Sequence, residues 1–139
     1  MKRVFLDTNI LMDAAEYRRF SPEALTILDL CSAGIIHVCA STMSFATMSY
    51  LLRHYTKEHF HETIKHITSI VEVISVDVRH FESAINYGPV GDFEDLLQYQ
   101  SAVAAGCEAI VTNDKKDFLE FCQIPCLSSP AFLQCIEES

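Results

Sequence analysis

The sequence predicts a three-layer α/β sandwich around a mainly parallel sheet, and two observations predict it. Short apolar, β-branched runs alternate with segments of helical periodicity along nearly the whole chain. Two of those runs end in acid-bearing tripeptides, Asp7-Thr8-Asn9 and Thr112-Asn113-Asp114. In open α/β sheets, sites lie just beyond the carboxyl ends of the strands. The 139 residues, 1–139, read as one domain with chain enough to bury a continuous core, and no repeat or linker interrupts them.

The elements follow in order. Residues 4–6 are a buried strand, and Asp7 can cap a helix after it. Ser21-Pro22-Glu23 opens a helix, with a capping Ser and Pro at the first helical position; Gly34 stops it. Residues 35–40 form a second strand, and Ser41 opens a helix running to about His54. A further helix covers residues 57–70, with Phe60, Ile64, Ile67 and Ile70 on one stripe. Residues 71–76 alternate as a third strand. Asp77 or Val78 begins a helix that Gly88-Pro89 stops, and Asp92 caps the next one, which ends at Gly106. Residues 109–111 form a fourth strand, residues 125–127 a short last strand, and Ser129-Pro130 starts the final helix.

Half of the residues are apolar, 21% are charged, and Gly and Pro number four each, so disordered, collagen-like and low-complexity classes are excluded. Nineteen acids against ten bases leave a net charge of −9, which disfavours adhesion to nucleic acid by bulk charge. Contact with RNA therefore needs a local patch or a bound cation. The first ten residues lack the apolar run of a signal peptide. Residues 30–52 carry no Asp, Glu, Lys or Arg, but their six Ser and Thr, one His and one Gly read as strand then helix, not as a membrane span. Six cysteines show no convergent ligand spacing and read as free thiols of a reducing cytoplasm.

Carboxylates at neighbouring strand ends repel and raise one another's pKa. A hard divalent cation, Mg²⁺ or Mn²⁺, relieves that repulsion, polarises a phosphate and activates a bound water. The favoured reaction is phosphodiester hydrolysis. Plainer roles exist for each acid. Asp92 and Asp95 fit a capping box, Glu94 is turned one position away toward solvent, and Asp114 and Asp117 fit a solvated turn.

The three acidic segments resemble, in order, the motifs of the PIN domain family, the fold of the VapC toxins. Residues 4–11, Val-Phe-Leu-Asp-Thr-Asn-Ile-Leu, resemble the opening motif. Residues 92–98, Asp-Phe-Glu-Asp-Leu-Leu-Gln, resemble the motif with the third acid, placed at Asp95. Residues 109–118 resemble the closing motif, with Asp114 in the usual Asp or Asn position and Asp117 as a further acid. The resemblance implies a five-stranded parallel sheet, Mg²⁺ or Mn²⁺ bound by three or four acids, single-strand endoribonuclease activity, a homodimer and a small antitoxin partner. It makes Asp7, Asp95 and Asp114 the metal ligands, with Asp92 or Asp117 assisting. The family's second acid falls on Thr47, and no Asp or Glu occurs between Asp29 and Glu58.

Lys115, Lys116, Arg18 and Arg19 are candidates for phosphate contacts. Asn9, Thr112 and Asn113 are candidates for holding substrate or water beside them, as Thr47 is. Tyr17, Phe93 and Tyr99 are candidates for base stacking, although core packing suits Phe93 better. The histidines of residues 54–66 offer no carboxylate-plus-His ligand set. Two readings compete with a metal-dependent RNase: a PIN-fold module that binds RNA or protein with weakened catalysis, because of Thr47, and a phospho-acceptor receiver domain. The receiver reading lacks its acid pair after the first strand and its Lys after the last.

Overall fold

The computed structural model describes residues 2–139. Five strands, β1 (Lys2–Leu6), β2 (Ile36–Ser41), β3 (Glu72–Ile74), β4 (Ala109–Val111) and β5 (Cys126–Leu127), form one sheet in the order β3-β2-β1-β4-β5. Every pairing is parallel. The helices are α1 (Thr8–Ala15), α2 (Ser21–Ser32), α3 (Thr42–Leu51), α4 (Lys57–Thr68), α5 (Val78–Tyr87), α6 (Phe93–Ala104) and α7 (Ser129–Glu138).

Alternation along the strands divides the core in two. Val4, Leu6, Val38, Ala40, Ala109 and Val111 face a layer formed by α1, α2, α3, α4 and α7. Phe5, Cys39 and Ile110 face the opposite way, onto α5, α6 and the turn carrying Phe118 and Phe121. That is the three-layer arrangement, because a parallel sheet must be covered on both faces. No helix among the described residues is long and apolar enough to cross a membrane.

Most local signals act as read, but Ser21 does not cap α2: it is the helix's first residue after Phe20, Pro22 is second, and the Ser21 hydroxyl accepts from the Arg18 N–H and donates to the Glu16 carbonyl. Three element ends also shift. Gly34 adopts φ +78°, its N–H donates to the Cys31 carbonyl and the Ile35 N–H to that of Leu30, a Schellman closure of α2. The helix expected to reach His54 stops at Leu51. Leu52 turns into the core at 2% exposure, and Thr56 begins α4 by accepting from the His59 N–H. The α4 helix ends at Thr68 rather than at residue 70. The edge strand β3 keeps three of the six residues expected of it.

The strand order places the switch point between β1 and β4, since the chain runs outward from β1 in both directions. This order also disposes of the receiver reading, whose doubly wound sheet runs 2-1-3-4-5. Both acid-bearing tripeptides sit at that switch point.

Candidate functional site

Asp7 follows β1 directly, and its N–H donates to the Val111 carbonyl of β4 at 3.0 Å. Its carboxylate does two jobs. Oδ1 caps α1 by accepting from the Thr8 N–H at 2.8 Å, and Oδ2 accepts from the Thr112 hydroxyl at 2.8 Å and from Asn9 Nδ2 at 3.0 Å. The helix-capping role and a place in the site are therefore compatible.

The same Asn9 amide points toward the second tripeptide, reaching Thr112 Oγ1 at 3.0 Å and Asp114 Oδ2 at 3.4 Å. Its carbonyl oxygen accepts from the Asn113 N–H at 3.1 Å. Asn9 thus ties the two strand ends together. Thr112 is fully buried between them and accepts from the Asp114 N–H at 3.1 Å. Asn113 turns the other way: its Oδ1 accepts from the Ser129 N–H at 2.9 Å, and its Nδ2 reaches Asp13 at 3.3 Å. The structure thus gives Thr112 and Asn113 a scaffolding role, pinning the β4 end to α1 and α7.

Asp92 caps α6 by accepting from the Asp95 N–H at 3.1 Å. The reciprocal half of the expected capping box is not formed, and the Asp95 carboxylate makes no hydrogen bond among the described residues. It faces a cleft of about 350 Å³ shared by Asp7, Asp92, Glu94, Asp95, Asp114 and Asp117. Thr47 lines the same cleft, its hydroxyl donating back to the Met43 carbonyl at 3.1 Å, one turn earlier in α3.

Six carboxylates in one cleft have an electrostatic consequence. Burial first, then the charges of Asp7, Asp92, Asp117 and Glu94, push the Asp95 carboxyl up to about 7. Burial also raises Asp7, against the opposing hydrogen bonds from Thr112 and Thr8, and the Asp114 and Glu94 charges raise it further. Among the described residues Arg18 is the only Lys or Arg lining the cleft, and its Nε lies 3.4 Å from the buried Asp13 carboxylate. An all-oxygen donor set under mutual repulsion fits a hard divalent cation. Asp7, Asp95 and Asp114 line that cleft together, with Asp92 and Asp117 beside them.

The pH response follows from Asp95. In the unfolded chain this carboxyl ionises near its ordinary 3.8, whereas in the folded chain it holds its proton to about 7. The folded state then binds more protons between those values, so metal-free stability falls as pH rises through that window. Thermal unfolding in a chelator should give a lower Tm at pH 8 than at pH 5.5. Saturating Mn²⁺ should narrow that difference, because binding displaces the proton. A Tm that rises toward pH 8 without metal would contradict the assignment.

The remaining sequence candidates fall outside the cleft. Lys115 and Lys116 are exposed on a 3-10 turn, Lys115–Asp117. Arg19 stacks over Phe20 at 5.0 Å. Tyr99 is buried, its hydroxyl oxygen accepting from the Gln123 N–H, while Tyr17 is wholly exposed. Phe93 is half-exposed against the edge of Phe81. Among the described residues, His37, Cys39 and Glu72 are the only trio of ligand types whose donor atoms lie within 4.8 Å of one another, so no three of the cleft acids stand that close. The Arg3 guanidinium, however, already engages both Glu72 oxygens. Arg3, then His37, holds Glu72 down at about 2.

Two features escaped the sequence reading. Glu94, expected to face away, lines the rim. Beneath the acids lies a buried polar network. Gln98 Oε1 accepts from the hydroxyls of Ser41 at 2.7 Å and Ser44 at 2.8 Å, and the Thr8 hydroxyl donates to Ser44 Oγ at 2.8 Å. The three-residue step from Asp95 to Gln98 was the available signal, since it shares one helix face.

Comparison with known proteins converges on one family. A family model described as PIN domain matches residues 3–116. Ribonuclease VapC1 of Aquifex aeolicus (strain VF5) is 31% identical over 122 residues, covering 82% of this chain and 83% of that protein. Among solved structures, VapBC2 from Rickettsia felis bound to a DNA fragment from its promoter superposes with a TM-score of 0.69 at 20% identity, over 91% of this chain and 98% of that one. VapC20 from Mycobacterium tuberculosis, described as a Sarcin-Ricin loop cleaving toxin, gives a TM-score of 0.59 at 14% identity, over 77% and 86%. Identities this low carry the fold alone.

Proposed function

This chain belongs to the PIN domain family, and from that premise we propose that it is a divalent-metal-dependent endoribonuclease, the toxin of a toxin–antitoxin pair. The observation that carries the reading is the cleft at the β1–β4 switch point, with six carboxylates and an Asp95 pushed up to about 7. Charges so arranged are costly unless a cation joins them.

Asp7, Asp95 and Asp114 would hold Mg²⁺ or Mn²⁺, and Asp92, Glu94 and Asp117 would set the rim charge. When bound, the cation supplies charge for a phosphate oxygen and acidifies a water. The chain's own residues do the rest. Asn9 and Thr112 fix the Asp7 carboxylate and bring Asp114 within reach. Thr47, whose hydroxyl proton is directed to Met43, offers an oxygen lone pair to a water on its side of the cleft. Arg18 brings positive charge to a strand of RNA at the cleft mouth, and Lys115 and Lys116 can meet its phosphates further out. The exposed residues Val78, Phe81 and Ile85 on one face of α5 support a homodimer. An antitoxin partner and a cytoplasmic setting follow from the toxin reading.

A mixed single-stranded RNA pool with 5 mM Mn²⁺, Mg²⁺ or a chelator tests this. Cleavage is expected in both metals and not in the chelator, with 5′-phosphate ends on the products. RNA that is bound in Mn²⁺ but left whole would favour the second reading, a binding module, for which Thr47 at the second-acid position is the motive.

A further inference from the structure

A cleft of carboxylates that takes RNA must also present hydrogen-bond donors, because a phosphodiester offers only acceptors. The donors lining this cleft are few and most are committed. The Asn9 amide protons go to Asp7, Thr112 and Asp114. The Thr8 hydroxyl donates to Ser44, and that of Thr47 to the Met43 carbonyl. Arg18 directs its Nε at Asp13. What remains is the Arg18 terminal nitrogens and one neutral group, the side-chain amide of Gln98.

Gln98 is 1% exposed, and it lines the cleft. Its orientation is set from below. Ser44 Oγ accepts from Thr8, and Ser41 Oγ accepts from the Ser44 N–H at 3.1 Å. Ser41 Oγ also lies 3.4 Å from Ser44 Oγ, but its much shorter contact is to Gln98 Oε1 at 2.7 Å, and the Ser44 hydroxyl reaches the same oxygen at 2.8 Å, so both donate to it. The oxygen is thus held by two donors, and Nε2 is turned away from them. No described residue accepts from Nε2, yet it is not among the polar atoms sealed from solvent without a partner. Its open side is the cleft. A buried amide kept with two unused donors costs stability unless something with an acceptor arrives.

We propose that Gln98 is a substrate-contacting residue: its Nε2 donates to a non-bridging phosphate oxygen of the RNA, in a pose fixed by Ser41 and Ser44. The Thr8–Ser44–Gln98 chain makes the pose depend on α1 as well as α3, both of which line the cleft. The proposal rests on the ribonuclease reading above and names a residue of its substrate site.

Gln98→Met and Gln98→Glu test it, beside Arg18→Ala and the wild type. A fluorescein-labelled mixed-sequence single-stranded RNA is titrated in Ca²⁺ by anisotropy, over a series of salt concentrations. Mn²⁺ affinity is measured separately by calorimetry. Wild type is expected to bind RNA. Gln98→Met should bind it about tenfold more weakly, the scale of one hydrogen bond to a charged group. Its salt dependence should match that of wild type, because no charge is lost, whereas Arg18→Ala should lower the slope by about one. Its Mn²⁺ affinity should stay within about twofold, a result that a merely structural role would not give. Gln98→Glu keeps both serine contacts and loses the donor, so it guards against a packing defect in the Met variant and should bind RNA at least as weakly. Unchanged RNA affinity in both variants, with wild type binding, overturns the inference alone. Loss of Mn²⁺ affinity along with RNA in Gln98→Met overturns it in favour of a role in holding the acids. Wild type that fails to bind RNA overturns the ribonuclease reading and the inference together.

Discussion

Asp95→Asn is expected to abolish most RNA cleavage while making the metal-free protein harder to unfold. The two effects have one origin. Asp95 carries no hydrogen bond among the described residues, is half-buried, and faces the charges of Asp7, Asp92, Asp117 and Glu94, which with burial raise it to about 7. Above that pH its negative charge opposes folding and recruits metal. The isosteric amide removes the charge with little change of shape. At pH 8 in a chelator, Tm should rise by about 3 °C, the shift expected for roughly 1 kcal/mol in a domain of this size. Mn²⁺ binding should weaken, and cleavage should fall by at least about a hundredfold, beyond the loss typical for partners that only support a ligand. Scanning calorimetry and a gel assay on the same preparation read both. A variant that loses activity and stability together would place Asp95 among the structural acids, with Asp7 and its caps, and not at the metal.

Asp7 is the instructive contrast. It is more deeply buried than Asp95 at 7% exposure, yet three donors, from Thr8, Asn9 and Thr112, hold its carboxylate. Removing its charge breaks a helix cap and two side-chain bonds, so its variants mix folding with function. Asp95 has no such debts, which makes it the cleaner probe.

How much of this was legible in the sequence depends on the range of the interaction. Strand–helix alternation, the Asp7 and Ser41 caps, the Gly34 stop and the acid-bearing strand ends are encoded within a few residues, and each appears where it was read, whereas the Ser21 cap does not form. The strand order was not legible, because nothing local says that β4 lies against β1. The end of α3 was misjudged because Leu52 is drawn into a core that the chain does not reveal until it is folded. At the site, the acids announced themselves by motif, but the division of labour did not. Asn113 and Thr112 sit inside a motif and work as scaffold. Lys115 and Lys116 sit between two acids and yet face solvent. Gln98, Ser41 and Ser44 read as ordinary helix residues, and only the packing of α6 over the ends of β2 and α3 brings them together. Residue type marked the chemistry; side-chain direction, a tertiary property, decided which residues share it.

Thr47→Glu should act opposite to Asp95→Asn. Thr47 lines the cleft from α3, where the family carries its second acid, and its hydroxyl satisfies only a carbonyl of its own helix. Among the described residues its hydroxyl makes no other hydrogen bond, so a longer side chain can extend into the cleft from the same turn. A glutamate there adds a seventh carboxylate to a cleft with one neighbouring cation, Arg18. In a chelator at pH 8 the variant should melt about 3 °C below wild type, by the same arithmetic that raises Asp95→Asn. Mn²⁺ affinity should rise about tenfold or more, as expected when an anionic ligand joins a hard-cation site. Cleavage decides what that gain means. If wild type cleaves poorly and Thr47→Glu cleaves at least about tenfold faster at subsaturating Mn²⁺, the missing carboxylate is what limits this chain. If affinity rises and the rate at saturating metal stays level, five aspartates and Glu94 already suffice, and Thr47 is a tolerated variation of the site. If neither changes, the side chain at position 47 does not reach the metal, and the donor set is confined to the β1, β4 and α6 acids.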